Sequence, residues 1–312
     1  MAITDAYTRL VKDLAVQLGF DFCGIAKAQA LPDDARRLES WLSKGMHGGM
    51  RYMENYFDLR IDPRKLVPGA RSVITLLKNY YPQQQPPNDG YKVARYAWGE
   101  DYHTVIRSSL NEFLFRLREQ IGEVDGRGFV DSAPVLERSW AQRSGSGWIG
   151  KNGNLITKSS GSYFFIATLI TDLELVPDDP FAKDYCGSCT RCIDSCPTEA
   201  ILPGKVVDGS RCISYFTIEL KEEIIPVEHS GKFNNWIFGC DICQEVCPWN
   251  RFSKPHHEPR FNPIPEMLDL TNGEWEALTE EAFRKIFKRT PLSRAKHKGL
   301  MRNIQFVNRG TN

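Results

Sequence analysis

Eight of the nine cysteines crowd between positions 186 and 247, and thiolates at short, regular spacing are soft metal ligands. The first run reads Cys186-x2-Cys189-x2-Cys192-x3-Cys196-Pro197, the second Cys240-x2-Cys243-x3-Cys247-Pro248. In the first spacing, three cysteines hold one four-iron cluster while the fourth reaches across to a neighbouring cluster. The second run supplies only three thiolates, so its cluster needs one more ligand, and Cys212 is the cysteine at hand. With each fourth cysteine crossing over, Cys186, Cys189, Cys192 and Cys247 make one 4Fe-4S site. Cys196, Cys212, Cys240 and Cys243 make the other. Proline after each fourth cysteine ends the local helical turn. Four thiolates also suit zinc, but paired zinc ribbons lack this x2, x2, x3-Pro rhythm. Cys23, in the apolar stretch Phe20–Ile25, is expected to be a buried, inert thiol.

Two clusters move electrons one at a time, and the surrounding elements must bring those electrons to something. Within 312 residues, 41% hydrophobic, there is room for one large core or two modest ones. A net charge of +1 argues against a chain that coats nucleic acid or membrane through its overall charge. No stretch reaches eighteen apolar residues, and the first thirty lack a basic region followed by an apolar run. A cytoplasmic protein away from membranes is expected, and in that reducing compartment clustered cysteines point to metal rather than disulfides. Residues 4–18 and 105–121 repeat apolar side chains at helical spacing, while 72–77 and 164–171 read as strands. This alternation predicts a mixed helix-and-sheet domain over 1–175. Residues 176–184, rich in aspartate and proline, read as a linker into a cysteine domain at 176–255. Residues 256–312 read as a helical tail.

Longer signatures lie on both sides of that linker. Arg95-Tyr96-Ala97-Trp98-Gly99-Glu100-Asp101-Tyr102-His103, the run Val130 to Arg138, Gly147-Trp148-Ile149-Gly150-Lys151, Arg211 to Glu219 and Gly239-Cys240-Asp241-Ile242-Cys243-Gln244 resemble the epoxyqueuosine reductase family over nearly the whole chain. The resemblance implies an α+β fold: a nitroreductase-like cobalamin-binding domain, then a bacterial two-cluster ferredoxin-like domain and a short helical tail. It implies reduction of the epoxide of epoxyqueuosine to queuosine at the wobble position of tRNAs with a GUN anticodon, those for aspartate, asparagine, histidine and tyrosine. Electrons from an external low-potential donor would pass through the clusters to cobalamin.

On that reading Asp131 is the proton donor to the departing oxygen, its carboxyl pKa raised by apolar neighbours such as Phe129 and Val130. Without the resemblance, Asp131 reads first as the cap of a turn before Ser132 and Pro134. Cobalamin contacts are expected from Arg60, Tyr96, Tyr102, His103, Asp131, Trp148, Lys151 and Tyr215, the glycine loop 144–153 receiving the flat macrocycle. No Asp-x-His-x-x-Gly motif occurs, so base-off binding without a histidine on cobalt is expected.

From Ala282 onward the sequence has nine lysines and arginines and no acidic residue. Arg284, Lys285, Lys288, Arg289, Arg294, Lys296, Lys298 and Arg302 could contact tRNA phosphates, or simply form a solvated face. Two other classes fit the cysteines: a cobalamin reductase of small molecules, dehalogenase-like, and an electron carrier without its own catalysis.

Overall fold

A computed structural model describes residues 3–85 and 90–310. The N-terminal half contains α1 (Ile3–Gln17), β1 (Phe22–Lys27), α2 (Pro32–Ser43), β2 (Ser72–Asn79), α3 (Tyr102–Ile121), β3 (Gly126–Val130), α4 (Glu137–Arg143) and β4 (Phe164–Thr171). The four strands make one sheet in the order β1-β2-β4-β3, every pairing antiparallel, so the fold is α+β. β2 and β4 are central, and apolar on both faces.

α3 buries Val105, Ile106, Leu110, Phe113 and Leu117, a 3.6-period stripe, against the sheet and α1. Gly128 lets α3 settle closely on β3, because a Cβ there would stand 2.9 Å from Leu110 Cβ. Two termini are thereby aimed at one place. Asp101 caps α3, its carboxylate accepting from His103 N at 3.0 Å, and the edge strand β3 ends at Val130, immediately before Asp131.

The cysteine runs fold as two short helical turns, Arg191–Asp194 and Ile242–Glu245, each followed within a few residues by its proline. A second hydrophobic core packs against the second of them, through Cys240 and Ile242. It joins Val93, Ala94, Ala97 and Trp98 from the first half of the chain to Ile213, Phe216, Phe233 and the strand Trp236–Phe238. It continues into α5 (Glu280–Phe287) and α6 (Lys296–Arg309) through Phe283, Phe287, Leu300, Ile304 and Val307. Residues 92–93 pair in parallel with Trp236 and Phe238. Arg95 then ties the segment to the second cysteine turn, through Asp241 at 3.2 Å and Glu245 at 2.7 Å. The tail is therefore part of the core around the cysteines.

Residues 176–184 form no regular element, in keeping with a connecting segment, but they are pinned down. Asp178 Oδ2 accepts from Ile25 N on β1 at 2.9 Å, and Phe181 N donates to Gln142 O at 2.9 Å.

Candidate active site and metal centres

Asp131 stands at the tip of β3 with φ +54°, a left-handed backbone that costs a non-glycine residue energy. Three contacts hold it there. Its backbone N–H donates to Glu137 Oε1 at 2.8 Å, Tyr102 OH donates to Oδ2 at 2.7 Å, and His103 Nε2 lies 3.4 Å from the same oxygen. The opposite ring nitrogen of His103 sits 2.8 Å from Asp101 Oδ1, which orients the imidazole. Tyr102 stacks on His103 and, on its far side, on Phe165 of β4, with centroids 4.1 and 4.3 Å apart. Tyr96 meets Tyr102 edge-on.

The charge distribution differs from the sequence expectation. Burial works to raise the Asp131 pKa, but hydrogen bonds from His103 and Tyr102 outweigh it and hold the carboxyl below its ordinary value. The apolar neighbours in sequence do not decide this; the hydrogen bonds from residues 102 and 103 do. The protons reside on its partners. Burial alone would lower His103, but Asp101 and Asp131 lift it to about 9, and Tyr102 is pushed far up by burial and by Asp131. Glu137 is raised to about 8, first by burial and then by the charge of Asp131.

Sequence reasoning gave Tyr52, Glu137 and Glu219 no place at this site, and gave Arg294 only a phosphate contact. Tyr52, from the turn Arg51–Met53, has its pKa raised to about 12 by burial, then by Glu219, with Asp131 a smaller contributor. Arg294 pairs with Glu219 at 2.8 Å and helps to keep Asp131 ionised. These side chains come from distant parts of the chain, and only the basic-tail count drew attention to Arg294. Arg60 is 7% exposed, donates to Tyr52 O at 3.1 Å, and its buried Nε has no partner among the described residues.

Tyr215 lies elsewhere, its hydroxyl accepting from Gly49 N at 2.8 Å beside the cysteine core. Trp148 and Lys151 lie beside the first cysteine run. The loop 144–153 contains a two-residue strand, Trp148–Ile149, paired with Leu155–Ile156. Trp148 is fully buried with Nε1 3.4 Å from Cys186 Sγ, and Lys151 Nζ donates to Gly187 O and Cys189 O at 2.8 and 2.9 Å. The glycines serve this tight pairing: a Cβ at Gly147 would stand 2.1 Å from Ile156 O. This loop packs against the first cysteine group instead of framing Asp131.

All nine cysteines are free thiols. Cys192 is raised by burial and then by the charges of Cys186, Cys247 and Cys189, so those four are electrostatic neighbours. Cys240 is raised by burial and then by Cys243 and Cys212, while Cys212 feels Cys196. The two cysteine runs lie side by side, Cys243 feeling Cys212, Cys192 and Cys196 at once. Backbone N–H groups already face the sulfurs: Ala200 N donates to Cys196 Sγ at 3.3 Å, and Ser214, Ile242 and Trp249 favour the thiolates of Cys212, Cys240 and Cys247. Buried thiols that are costly to ionise alone, with donors already aimed at them, fit iron–sulfur ligation, because the metal charge offsets the burial. Cys23 is partly exposed, and desolvation by its surroundings pushes its pKa up to about 12.

A catalytic sheet unit joined to two cysteine cages defines a two-cluster iron–sulfur reductase. Residues 185–250 match the "4Fe-4S double cluster binding domain" family, and residues 60–132 match "Epoxyqueuosine reductase QueG, DUF1730". The chain belongs to the epoxyqueuosine reductase family. It is 58% identical over 309 residues to the epoxyqueuosine reductase of Cyclobacterium marinum, covering 98% of both chains. A solved epoxyqueuosine reductase with an epoxyqueuosine-modified tRNA-Tyr stem loop superposes with TM-score 0.88 at 29% identity, over 96% of this chain and 81% of that one. A catabolic reductive dehalogenase shares the fold alone, with TM-score 0.51 at 17% identity over 97% of this chain and 38% of that one. Among the described residues no helix is long and apolar enough to cross a membrane.

Proposed function

We propose that this chain reduces epoxyqueuosine to queuosine in tRNAs carrying a GUN anticodon, in the cytoplasm, with electrons from an external low-potential donor. Removing the epoxide oxygen as water takes two electrons and two protons. The observation that carries the reading is the Asp131, Tyr102 and His103 group, which holds protons beside a carboxylate at the open end of β3. Membership of the epoxyqueuosine reductase family and the two cysteine cages support it. The dehalogenase-like alternative has only a shared fold behind it.

Cobalamin fits the remaining features. Arg60 is a buried guanidinium with no carboxylate partner and an orphaned Nε, suited to an anionic or carbonyl-bearing arm of such a cofactor. Arg60, Tyr96 and Tyr102 would hold it. Bound there, cobalamin would supply a low-potential metal centre at the substrate.

The residues of the chain manage the protons. In the open site Asp131 is ionised and half exposed, while His103 carries the nearest proton. A bound nucleoside strips water from the carboxylate, which raises its pKa and draws that proton from His103 Nε2 to Asp131 Oδ2. Asp131 then gives it to the departing oxygen, and Asp101 steadies the imidazole throughout.

The test is anaerobic reconstitution with iron, sulfide and cobalamin, then assay on tRNA from cells that cannot complete queuosine. Asp131→Asn should keep its iron and cobalamin and lose turnover. Full activity in that variant would remove Asp131 from the mechanism. Failure of the unaltered, fully loaded protein to convert the base would overturn the assignment.

A further inference from the structure

The cage formed by Cys186, Cys189, Cys192 and Cys247 lies at the surface: Gly187, Ser188, Thr190 and Arg191 around it are exposed. Aromatic side chains pack beside it. Trp148, with its indole N–H on Cys186, touches Phe181, Tyr185 and Trp249, and Trp249 leads to Phe252, which is 38% exposed.

Cations ring this apolar patch. Lys158 Nζ sits 4.1 Å from the Tyr185 ring centroid, Arg251 lies 4.6 Å from that of Phe252, and Lys183 is exposed two residues before Tyr185. Lys151 reaches the carbonyls of the cage loop itself. Of the nearby acidic side chains, Asp184 is engaged by Lys205 at 2.9 Å and by Cys186 N at 2.8 Å, Glu245 by Arg95 at 2.7 Å, and Asp194 accepts from Thr190 Oγ1 at 2.7 Å. Lys158, Lys183 and Arg191 have no carboxylate partner among the described residues. A chain with net charge +1 thus concentrates unpaired positive charge around one metal cage, where it cannot serve general solubility.

The geometry points to this face as the docking site of a small acidic one-electron carrier protein, with Lys158 and Lys183 steering it onto the Cys186–Cys192 edge. This rests on the two-cluster reading, not on the identity of the tRNA substrate. Each encounter transfers one electron, leaving the carrier oxidised by one electron. Two encounters supply the two electrons that, with two protons, release the epoxide oxygen as water. An apolar centre within a cationic rim suits repeated, short-lived docking: charge raises the encounter rate, and the small dry patch limits residence time.

The experiment uses the cluster-loaded full chain and a reduced acidic flavodoxin as probe. Stopped-flow bleaching of the cluster absorbance gives the second-order reduction rate at several salt concentrations, and titration calorimetry gives the affinity. The rate should fall steeply with salt. In the K158E/K183E double variant it should drop by about tenfold or more at low salt, with weaker binding. Reduction by dithionite, which needs no protein docking, and tRNA turnover driven by dithionite should match the unaltered protein. That control separates a failed docking site from a failed functional assignment. Flavodoxin-driven reduction that ignores salt, or that proceeds equally fast in the double variant, would overturn the proposal.

Discussion

At the scale of single residues, Asp131, the proposed proton donor, depends on its neighbours. Three aspartate or glutamate side chains lie within a few residues of His103 in space, and their environments separate them: Asp131 is held ionised, Glu137 is raised to about 8, and Asp101 is tied to the imidazole. If His103 supplies the proton, turnover should be sustained at lower pH and decline as pH rises through about 9, where the imidazolium is lost. His103→Gln should lower kcat on the order of 10²–10⁴-fold and abolish that alkaline limb, read from pH–rate profiles of cluster-matched preparations. Asp131 was visible in the sequence through the motif around it. Its charge state was not, because the deciding partners lie 28 and 29 positions upstream, and proximity along the chain favours the wrong, apolar neighbours. Arg294 was read from its company in a basic tail, whereas its partner Glu219 lies 75 positions away.

Elements carry the next set of consequences. Residues Tyr215–Glu219 form a π-helical turn after Cys212, a geometry seldom retained without external support. Asn303 of α6 supplies it. Its amide is fully buried and donates to Thr217 O and Ile237 O, both at 2.9 Å, which joins the tail to the turn and to the strand leading to Cys240. Thr217 Oγ1 extends the link by accepting from Gly239 N at 3.0 Å. Asn303→Leu would strand two buried carbonyls, and denaturant titration should show a loss of about 2–4 kcal/mol. The variant should also release iron faster to a chelator. Helices α1, α3, α5 and α6 and strands β2 and β4 were legible because each shows a sustained period. In the loop 144–153 glycine signals close approach without saying to what, and one partner is the strand 155–156.

For the whole molecule, the tail proves to be two things at once. Arg302 donates to Phe216 O, Leu220 O and Glu222 O, Arg294 faces the active site, and Lys298 and Arg284 pair with Glu223 and Glu280. Half of the expected phosphate ligands are therefore occupied within the fold. Lys285, Lys288, Arg289 and Lys296 remain exposed on the same segment, and Arg289 O accepts from Asp101 N near the catalytic group. Lys285→Ala with Lys288→Ala should weaken tRNA binding similarly for cognate and non-cognate anticodon stems. The slope of log affinity against log salt should fall by about 1–2, measured by filter binding. An unchanged slope would free those lysines from the interface. Which cations are spent internally could not be read from sequence, since a lysine under a carbonyl and one in solvent look the same in a charge count.

The core shared by Val93–Trp98, the cysteine turns and α6 also bears on how the protein is made. Val93, Ala94, Ala97 and Trp98 pack in the same core as Cys212 and Cys240, so metal binding and the setting of this segment are coupled. Synthesis alone does not then finish the catalytic pocket. Its maturation waits on delivery of iron and sulfide, so a cell starved of iron would accumulate an immature chain exposed to proteases, and its tRNA would retain the unreduced base.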